Sequence, residues 1–304
     1  MFDILVAGEI NPDLILTGDV KPEFGQVEKI AESAALTVGS SCSIFACGAA
    51  RLGLKVAFAG VCGDDVFGRF MLDAMQDRGV DTSAVIVRPD RSTGISVILN
   101  LAADRAILTY PGLIPALRAS DIPDTILRQA RHLHVASYFL QTNLRPDLPA
   151  LFRLARSYGL TTSLDTNYDP SGEWKGMDEL LPLTDVFLPN RTEALGITHA
   201  GAAEDAARQL ARSARMAVVK LGAQGALLCE GDSVIRSASI PVPVVDSVGA
   251  GDSFDAGFLL GFLNGWKPER ALRIACVCGA LSMRKAGGTE GQPTAEEALA
   301  YVPG

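Results

Sequence analysis

The chain has 304 residues, of which 48% are hydrophobic and 20% charged, and its formal net charge is −8. This length and composition suit a globular α/β domain with a large core, and the negative charge argues against nucleic acid or an anionic membrane as partner. The apolar run at the N-terminus is too short for a signal peptide and has no basic segment before it, and no later apolar run is long enough for a membrane span.

Strand-like and helical patterns alternate along the first two thirds of the chain. The predicted strands are 4–7, 56–61, 134–136, 160–164, 186–188 and 216–221, and the predicted helices are 43–52, 66–78, 147–158 and 202–213. The remaining third is predicted to be helical at 251–264, 268–284 and 294–300. This order predicts a mainly parallel sheet with helices on both faces.

Two segments, about 14–38 and 93–110, interrupt this alternation. They contain strand-like runs at 34–38, 94–101 and 106–110 without intervening helices. We expect them to form a small antiparallel sheet that stands off the main body and serves as a lid, within a single domain spanning 1–304. A lid would exclude water from a reaction that water could intercept. The alternative is that these runs are edge strands of the main sheet.

Cysteine and histidine do not point to a metal site. The six cysteines include no Cys-x-x-Cys pair, and the three histidines are scattered. Most of the cysteines lie in apolar surroundings, where cysteine acts as a small hydrophobic residue. We therefore expect a cytoplasmic protein, with His132 and His134 in structural positions on a strand.

The most informative motif is Asp246-Ser-Val-Gly-Ala-Gly-Asp252, which opens directly into an apolar helix. The first amides of a helix lack internal partners and carry partial positive charge, so those of Gly249, Ala250 and Gly251 are suited to a phosphate. Asp252, at the same place, is suited to accept a proton from a hydroxyl, and the two together are what phosphoryl transfer to an alcohol requires. The plainer alternative is a glycine turn that caps a buried helix.

A second set of motifs precedes it in the chain. Val38-Gly39-Ser40-Ser41 is followed by Ala49-Ala-Arg-Leu-Gly53 and by Gly60-Val-Cys-Gly-Asp-Asp-Val-Phe-Gly68. With the C-terminal motif, this set resembles the ribokinase-like carbohydrate kinases of the phosphofructokinase-B type over nearly the whole chain. The resemblance implies a three-layer α/β/α fold with a small β-sheet lid, and ATP-dependent phosphorylation of a hydroxyl of a small sugar or sugar acid. No Walker A or protein-kinase motif competes with it.

The resemblance also assigns roles on the nucleotide side. Asp252 matches the catalytic base, and Gly249, Ala250 and Gly251 match the anion hole. In Asn190-Arg-Thr-Glu193, Glu193 and Asn190 match residues that reach Mg²⁺ through water; the residues alone favour a helix N-cap. Lys220, Gly222 and Gly225 match a turn beside ATP, although the residues alone fit a β-hairpin turn equally well. Ser282 matches the wall of the adenine pocket. Asp246 and the Val248 carbonyl match positions that bind a monovalent cation such as K⁺ in some relatives.

On the acceptor side, the resemblance assigns Asp13 to two sugar hydroxyls, with Asn11 assisting. Gly39, Ser40 and Ser41 would line the same pocket. Asp165 and Asn167 follow a predicted strand, and because ligands bind at the carboxyl ends of strands in α/β sheets, we expect them to make acceptor contacts or Mg-phosphate contacts. Arg105 is predicted either to reach an anionic group of the substrate or to be a solvated lid residue.

The chain departs from the family at two positions. Ile44 stands where relatives commonly carry an asparagine that contacts the acceptor, and Ser40 replaces a glycine. A branched apolar side chain cannot replace the hydrogen bonds of an amide, so this position does not support ribose specificity. The closest alternative is a nucleoside kinase of the same family, and a more distant one is a non-catalytic sugar or nucleotide sensor.

Exposed edges of the predicted lid would favour pairing between two copies of the chain, so a homodimer is expected.

Overall fold

The structure is a computed structural model that describes residues 1–101 and 104–302. In chain order its strands are β1 (Ile4–Ala7), β2 (Pro12–Gly18), β3 (Ala31–Val38), β4 (Val56–Gly63), β5 (Asp81–Arg88), β6 (Ile95–Leu101), β7 (Asp104–Tyr110), β8 (His132–Val135), β9 (Thr161–Leu164), β10 (Val186–Phe187), β11 (Met216–Lys220), β12 (Ala226–Glu230) and β13 (Ser233–Ser237). The helices are α1 (Ser41–Arg51), α2 (Val66–Asp77), α3 (Asp124–Leu127), α4 (Leu148–Ser157), α5 (Arg191–Thr198), α6 (Ala203–Leu210), α7 (Ala250–Leu263), α8 (Pro268–Ser282) and α9 (Ala295–Leu299).

Nine strands form the main sheet, in the order β13-β12-β11-β10-β9-β8-β1-β4-β5. The seven strands from β11 to β5 run parallel, and β12 and β13 add an antiparallel edge. Successive side chains of β1 point to opposite faces, so Ile4 and Leu5 enter two different hydrophobic cores. Helices α1, α7 and α8 cover one face and α4, α5 and α6 the other, which confirms the predicted three-layer fold.

The second sheet has the order β3-β2-β6-β7 and is separate from the main sheet, so the edge-strand alternative is wrong. The antiparallel arrangement that we expected is also wrong for its central pair, because β2 and β6 run parallel. The physical reason lies in the connections to the main sheet, where β1 and β5 run in the same direction. The chain continues from β1 into β2 and from β5 into β6, so β2 and β6 both start from the carboxyl ends of parallel strands and run the same way. Residues 102 and 103 of the predicted lid segment lie outside the described residues.

The histidines of β8 are structural, as expected. His132 and His134 are fully buried, and both rings contact the hydroxyl of Ser163 at 2.7 Å. Burial lowers the pKa of His134 to about 3, so this side chain stays neutral. The six cysteines are free and buried. No helix of the described residues is both long and apolar enough to pass through a membrane.

Candidate active site

A cavity of about 250 Å³ lies between the main sheet and the second sheet. Its lining comes from the carboxyl ends of β1, β8 and β9, from the starts of α1 and α7, and from β2, β6 and β7 of the second sheet. Of the residues predicted on the acceptor side, it includes Asn11, Asp13, Ser40, Ser41 and Asn167. We call it the acceptor cavity.

A second cavity, of about 260 Å³, lies on the other side of the first turn of α7, and we call it the nucleotide cavity. It includes the predicted residues Lys220, Gly222 and Gly225. Much of the remaining lining is apolar and comes from α7, α8 and the segment before α7: Val244, Phe254, Ala280 and Met283. An apolar pocket with a few polar groups suits an aromatic ring such as a nucleobase.

The start of α7 separates the two cavities. Gly249 and Asp252 line the acceptor cavity, whereas Ala250 and Gly251 line the nucleotide cavity. The first helical hydrogen bond of this turn runs from the amide of Ser253 to the carbonyl of Gly249 at 2.9 Å. The amides before Ser253 therefore belong to the helix end that carries partial positive charge.

Gly249 cannot be replaced by another residue without strain. Its φ is +73°, and a Cβ at this position would lie 2.6 Å from the Gly288 carbonyl oxygen and 2.8 Å from Ile44 Cγ2. The turn is thus pressed against α1 and against the loop after α8. A glycine is what allows this close approach.

Asp252 lies in the first turn of α7 and is partly exposed to the acceptor cavity. The hydroxyl of Ser41 donates a hydrogen bond to Asp252 Oδ1. Burial raises the pKa of Asp252 to about 7, although the Ser41 hydrogen bond opposes the increase. Because this pKa is close to neutrality, Asp252 can both lose and accept a proton under ordinary conditions.

Asp13 is a second buried carboxyl group in the acceptor cavity. Gly39 packs directly against it, since a Cβ on Gly39 would lie 2.2 Å from Asp13 Oδ1, and Asn11 Nδ2 lies 3.4 Å from the same oxygen. Burial raises the pKa of Asp13 to about 7, and the positive charge of Arg105 opposes this increase. Arg105 lines the cavity and is also exposed, so both readings, a contact to an anionic substrate group and a solvated lid residue, stay predictions.

The hydrogen bonds of the Ser40 hydroxyl explain how a serine can stand at this position instead of a glycine. It is the N-cap of α1 at φ 63°, a conformation that favours glycine. Its hydroxyl accepts from the Ser43 amide at 3.1 Å and donates to the Glu9 carbonyl at 2.7 Å. These two bonds offset the strain and tie the loop after β1 to the start of α1.

The prediction that Asp165 lines the acceptor pocket is not supported by its position. Asp165 is 1% exposed, and its Oδ2 lies 2.7 Å from Lys220 Nζ. Asp255 of α7 holds the same ammonium group at 3.1 and 3.2 Å. Burial alone would lower the pKa of Lys220, but Asp165 and Asp255 outweigh it and raise the pKa. Lys220 is therefore a fixed positive charge beside Gly251.

Asn190 and Glu193 form a capping box at the start of α5, as the residues alone suggested. The Asn190 amide donates to Glu193 Oε2 at 2.8 Å, and the Glu193 amide donates to Asn190 Oδ1 at 3.0 Å. Burial, reinforced by the charge of Asp165, raises the pKa of Glu193 to about 8. Asp165, Asp252, Asp255 and Glu193 all interact electrostatically with Lys220, but the described residues contain no group of three or more His, Cys, Asp or Glu side chains placed to hold a metal ion.

Asp246 and Ser282 have structural contacts. The Asp246 carboxylate accepts the amides of Val248 and Gly287, both at 3.0 Å, and so joins the loop before α7 to the loop after α8. Ser282 is buried, and its hydroxyl donates to the Gly279 carbonyl of its own helix at 2.9 Å. Ser282 thus lies outside the nucleotide-cavity lining, contrary to our expectation.

Sequence reasoning missed several residues of the site. Glu9 lies in the acceptor-cavity lining, as do Ile98, Ile107 and Leu140, which make part of that lining apolar. Asp255 could have been found, because it stands three residues after Asp252 and so on the same side of a helix. Ile98 and Ile107 belong to the cavity lining because the second sheet packs over the main sheet. No local sequence pattern predicts this packing.

Comparisons with known proteins agree on the kind of molecule that this chain resembles. The sequence profile of the pfkB family carbohydrate kinases matches residues 1–295. The chain is 28% identical to the 2-dehydro-3-deoxygluconokinase of Bacillus subtilis (92% of this chain, 90% of the other) and 30% identical to the ATP-dependent ribose-1-phosphate kinase of Halopiger xanaduensis (99% and 98%). A crystal structure from E. coli that carries the name ribokinase II, in complex with ATP and Mg²⁺, superimposes with a TM-score of 0.89 at 23% identity, covering 99% of both chains.

Proposed function

The chain belongs to the pfkB family of carbohydrate kinases, and from this premise we propose that it transfers the γ-phosphoryl group of ATP to a hydroxyl of a small sugar or sugar acid, with Asp252 as the general base. The observation that carries the proposal is the position of α7. Its first turn presents Asp252 to the acceptor cavity and Ala250 and Gly251 to the nucleotide cavity. One helix start thus meets both substrates of a transfer reaction.

The chemistry then follows from the residues of this turn. Asp252 takes the proton from the acceptor hydroxyl, whose oxygen forms a bond to the γ-phosphorus while the bond from that phosphorus to the bridging oxygen breaks and ADP leaves. The amides of Gly249, Ala250 and Gly251 hold the equatorial oxygens of the group in transfer. Lys220, fixed by Asp165 and Asp255, adds a positive charge on the nucleotide side.

We propose that Mg²⁺ binds with ATP near Asn190 and Glu193, two residues that belong to the lining of neither cavity. Asn190 and Glu193 would hold it through water, because their side chains already bind one another. When bound, Mg²⁺ supplies charge neutralisation for the β- and γ-phosphates. A monovalent cation at Asp246 and the Val248 carbonyl stays a prediction, which a comparison of activity in KCl and NaCl would test.

The second sheet is the proposed lid. Strands β2, β6 and β7 contribute Asp13, Ile98, Arg105 and Ile107 to the acceptor-cavity lining, so the sheet covers the place where the hydroxyl would react. Excluding water there favours the sugar over water as acceptor.

The outer strands of the second sheet carry exposed apolar side chains, Leu36 of β3 and Leu108 and Tyr110 of β7, and we propose that a second copy of the chain covers them. Sedimentation equilibrium would test this dimer.

The lining restricts the class of acceptor. Asp13, Asn11 and Asn167 offer hydrogen bonds to hydroxyls, and Arg105 offers a positive charge to a carboxylate. Ile44 is 3% exposed and lines the same cavity, so no amide contacts the acceptor at that position. We therefore favour a sugar acid or a ketose over ribose.

The deciding experiment is an ADP-release assay with Mg-ATP and a fixed panel of acceptors: 2-dehydro-3-deoxy-D-gluconate, D-ribose 1-phosphate, D-ribose, D-fructose and adenosine. We expect saturable ADP release with a sugar or sugar acid and a fall in kcat of roughly 10³-fold in Asp252→Asn. Saturable turnover of adenosine alone would establish the nucleoside kinase instead. Thermal stabilisation by ligands without any ADP release would indicate a sensor.

A further inference from the structure

Glu9 is a buried carboxylate in the acceptor cavity to which the proposed mechanism gives no role. It stands two residues after the end of β1, is 2% exposed and belongs to the cavity lining. Its Oε1 accepts a hydrogen bond from the Cys42 amide at 3.4 Å. Its Oε2 is buried and has no hydrogen-bond partner among the described residues.

An unpaired carboxylate oxygen is costly in a folded protein. Removing a charged acceptor from water without giving it a donor is more unfavourable than doing so with a neutral one, and buried polar atoms in native proteins nearly always have partners. The Cys42 thiol also interacts with the Glu9 side chain, and no other donor of the described chain lies at Oε2.

The position of this oxygen distinguishes it from other unpaired atoms. Buried side-chain atoms without a partner also occur, among the described residues, in Ser43, His134, Gln141, Thr166 and Arg270. None of these five residues lines the acceptor cavity or the nucleotide cavity, whereas Glu9 does. The unpaired atom thus belongs to a residue of the acceptor-cavity lining, with Oε2 itself buried behind the cavity surface.

A purely structural role accounts for only half of the carboxylate. The Cys42 amide belongs to the first turn of α1, so Glu9 Oε1 acts as an acceptor for that helix end. The distance of 3.4 Å makes this a weak hydrogen bond. It leaves Oε2 without a function in α1.

We infer that Glu9 is a further acceptor-binding residue, whose Oε2 takes a hydrogen bond from a hydroxyl of the acceptor other than the one that is phosphorylated. The inference rests on the proposed function, because it uses the same cavity. Glu9, Asp13 and Asp252 place three carboxyl groups around one ligand, so the acceptor must be rich in hydroxyl donors.

This arrangement separates sugars from nucleosides. A ribonucleoside has three sugar hydroxyls, one for Asp252 and two for Asp13 in the proposed binding mode, and it has no free anomeric hydroxyl. It leaves Glu9 unpaired. A free sugar such as D-ribose or D-fructose retains its anomeric hydroxyl, has at least four hydroxyls and can pair all three carboxyl groups, so Glu9 selects for a fourth hydroxyl.

The test compares Glu9→Gln with Ser43→Ala, using the panel acceptor with the highest kcat/KM and its monodeoxy analogues. Gln keeps an oxygen for the Cys42 amide and turns the other atom into a donor. Ser43 shares the first turn of α1 and has an unpaired hydroxyl, but it lies outside the cavity, which makes Ser43→Ala the matched control.

We expect Glu9→Gln to raise the KM for that acceptor by roughly 10- to 100-fold, while the KM for ATP and kcat change by less than about threefold. For one monodeoxy analogue, the ratio of KM between the variant and the wild type should fall to about 1, because the hydroxyl that Glu9 binds is missing. Ser43→Ala should keep the wild-type KM. If Glu9→Gln is too unstable to assay, Glu9→Asp, which withdraws the carboxylate by one methylene, provides the same comparison.

An unchanged KM in Glu9→Gln would overturn the inference, and so would an equal increase for the parent acceptor and for every deoxy analogue. An equal increase in Ser43→Ala would assign the effect to α1 rather than to the acceptor. These outcomes all require that the wild type phosphorylates a member of the panel. If it phosphorylates none, the proposed function fails, which is a distinct result.

Discussion

Lys220 Nζ lies 3.1 and 3.2 Å from the two carboxylate oxygens of Asp255, which stands one helical turn after Asp252. Lys220 ends β11 and Asp255 belongs to α7, so this ion pair fixes the helix to the sheet at the floor of the site. Asp165 completes a buried group of two carboxylates and one ammonium.

Lys220→Met should destabilise the protein far more than Asp255→Asn. Removing the lysine leaves two buried carboxylates facing each other, at a cost of about 3–5 kcal/mol in the free energy of unfolding. Burial raises the pKa of Asp255 well above its usual range, so Asp255→Asn removes little charge, leaves the pair of Lys220 with Asp165 and should cost about 1 kcal/mol or less. Urea unfolding at pH 8 measures both values. Equal losses in the two variants would show that the group is not electrostatically coupled in this way.

Asp252→Asn should stabilise the fold at alkaline pH. Burial raises the pKa of Asp252 from 3.8 to about 7, so between these values the folded protein holds a proton that the unfolded chain releases. The contribution of this carboxyl group to the free energy of unfolding is therefore fully present below pH 3.8 and is lost as the pH rises through 7. The variant should therefore melt several degrees above the wild type at pH 8 and close to it at pH 4.

Asp165→Asn is the control for that measurement. Burial opposes ionisation of Asp165, but Lys220 outweighs it and holds the pKa of this carboxyl below its usual range. Its charge therefore stabilises the fold above that range, and its removal should lower the melting temperature at pH 8. A decrease in both variants would contradict the assignment of a raised pKa to Asp252.

Much of the fold was readable from the sequence, because most buried strands carry clear apolar runs. Strand β1 is found exactly where the pattern puts it, at Ile4–Ala7. Strand β5 was missed because it lies at an edge of the main sheet with Ala84 as its one buried residue, so its sequence shows no clean alternation. Strand β2 was missed as a separate element because it follows β1 after only a short loop.

The site was less predictable than the fold, because its contacts join distant parts of the chain. The motif around Asp252 identifies the helix start, but its hydrogen-bond partner, Ser41, is 211 positions away. Lys220 and Asp165 are separated by 55 positions, and their pairing depends on β9 and β11 both flanking β10. The local spacing of residues in the sequence identifies candidate functional groups, but it does not show which of them come into contact in the fold.

Ser41→Ala should shift the pH dependence of the reaction. The Ser41 hydroxyl stabilises the charged form of Asp252 and so lowers its pKa against the effect of burial. Removing it should move the acidic limb of kcat/KM, which we expect near pH 7 in the wild type, to higher pH. The variant then loses more activity at pH 6 than at pH 8.5. Ser41→Thr, which retains a hydroxyl, should keep the wild-type limb, and a limb that stays in place in both variants would remove Ser41 from this role.

Arg105→Gln should distinguish charged from neutral acceptors. Arg105 lines the acceptor cavity, and its charge acts on Asp13. If it also binds an acidic acceptor, the variant should raise the KM for 2-dehydro-3-deoxy-D-gluconate by roughly tenfold or more and leave that for D-fructose nearly unchanged. Arg88→Gln, at an exposed arginine of β5 outside the cavity, is the control. A similar increase for both acceptors would mean that Arg105 only supports the lid.

Gly249→Ala should damage catalysis beyond the strain that it introduces. Gly79 also has a positive φ, of +84°, but a Cβ there would meet nothing within 4 Å, whereas at Gly249 it would meet the Gly288 carbonyl at 2.6 Å. Both variants should lose about 1–2 kcal/mol of stability from the left-handed backbone. Only Gly249→Ala should displace the amides of the α7 turn, with a fall in kcat of about 100-fold or more. If kcat falls equally in both variants, or in neither, the turn of α7 does not hold the phosphoryl group in the way proposed.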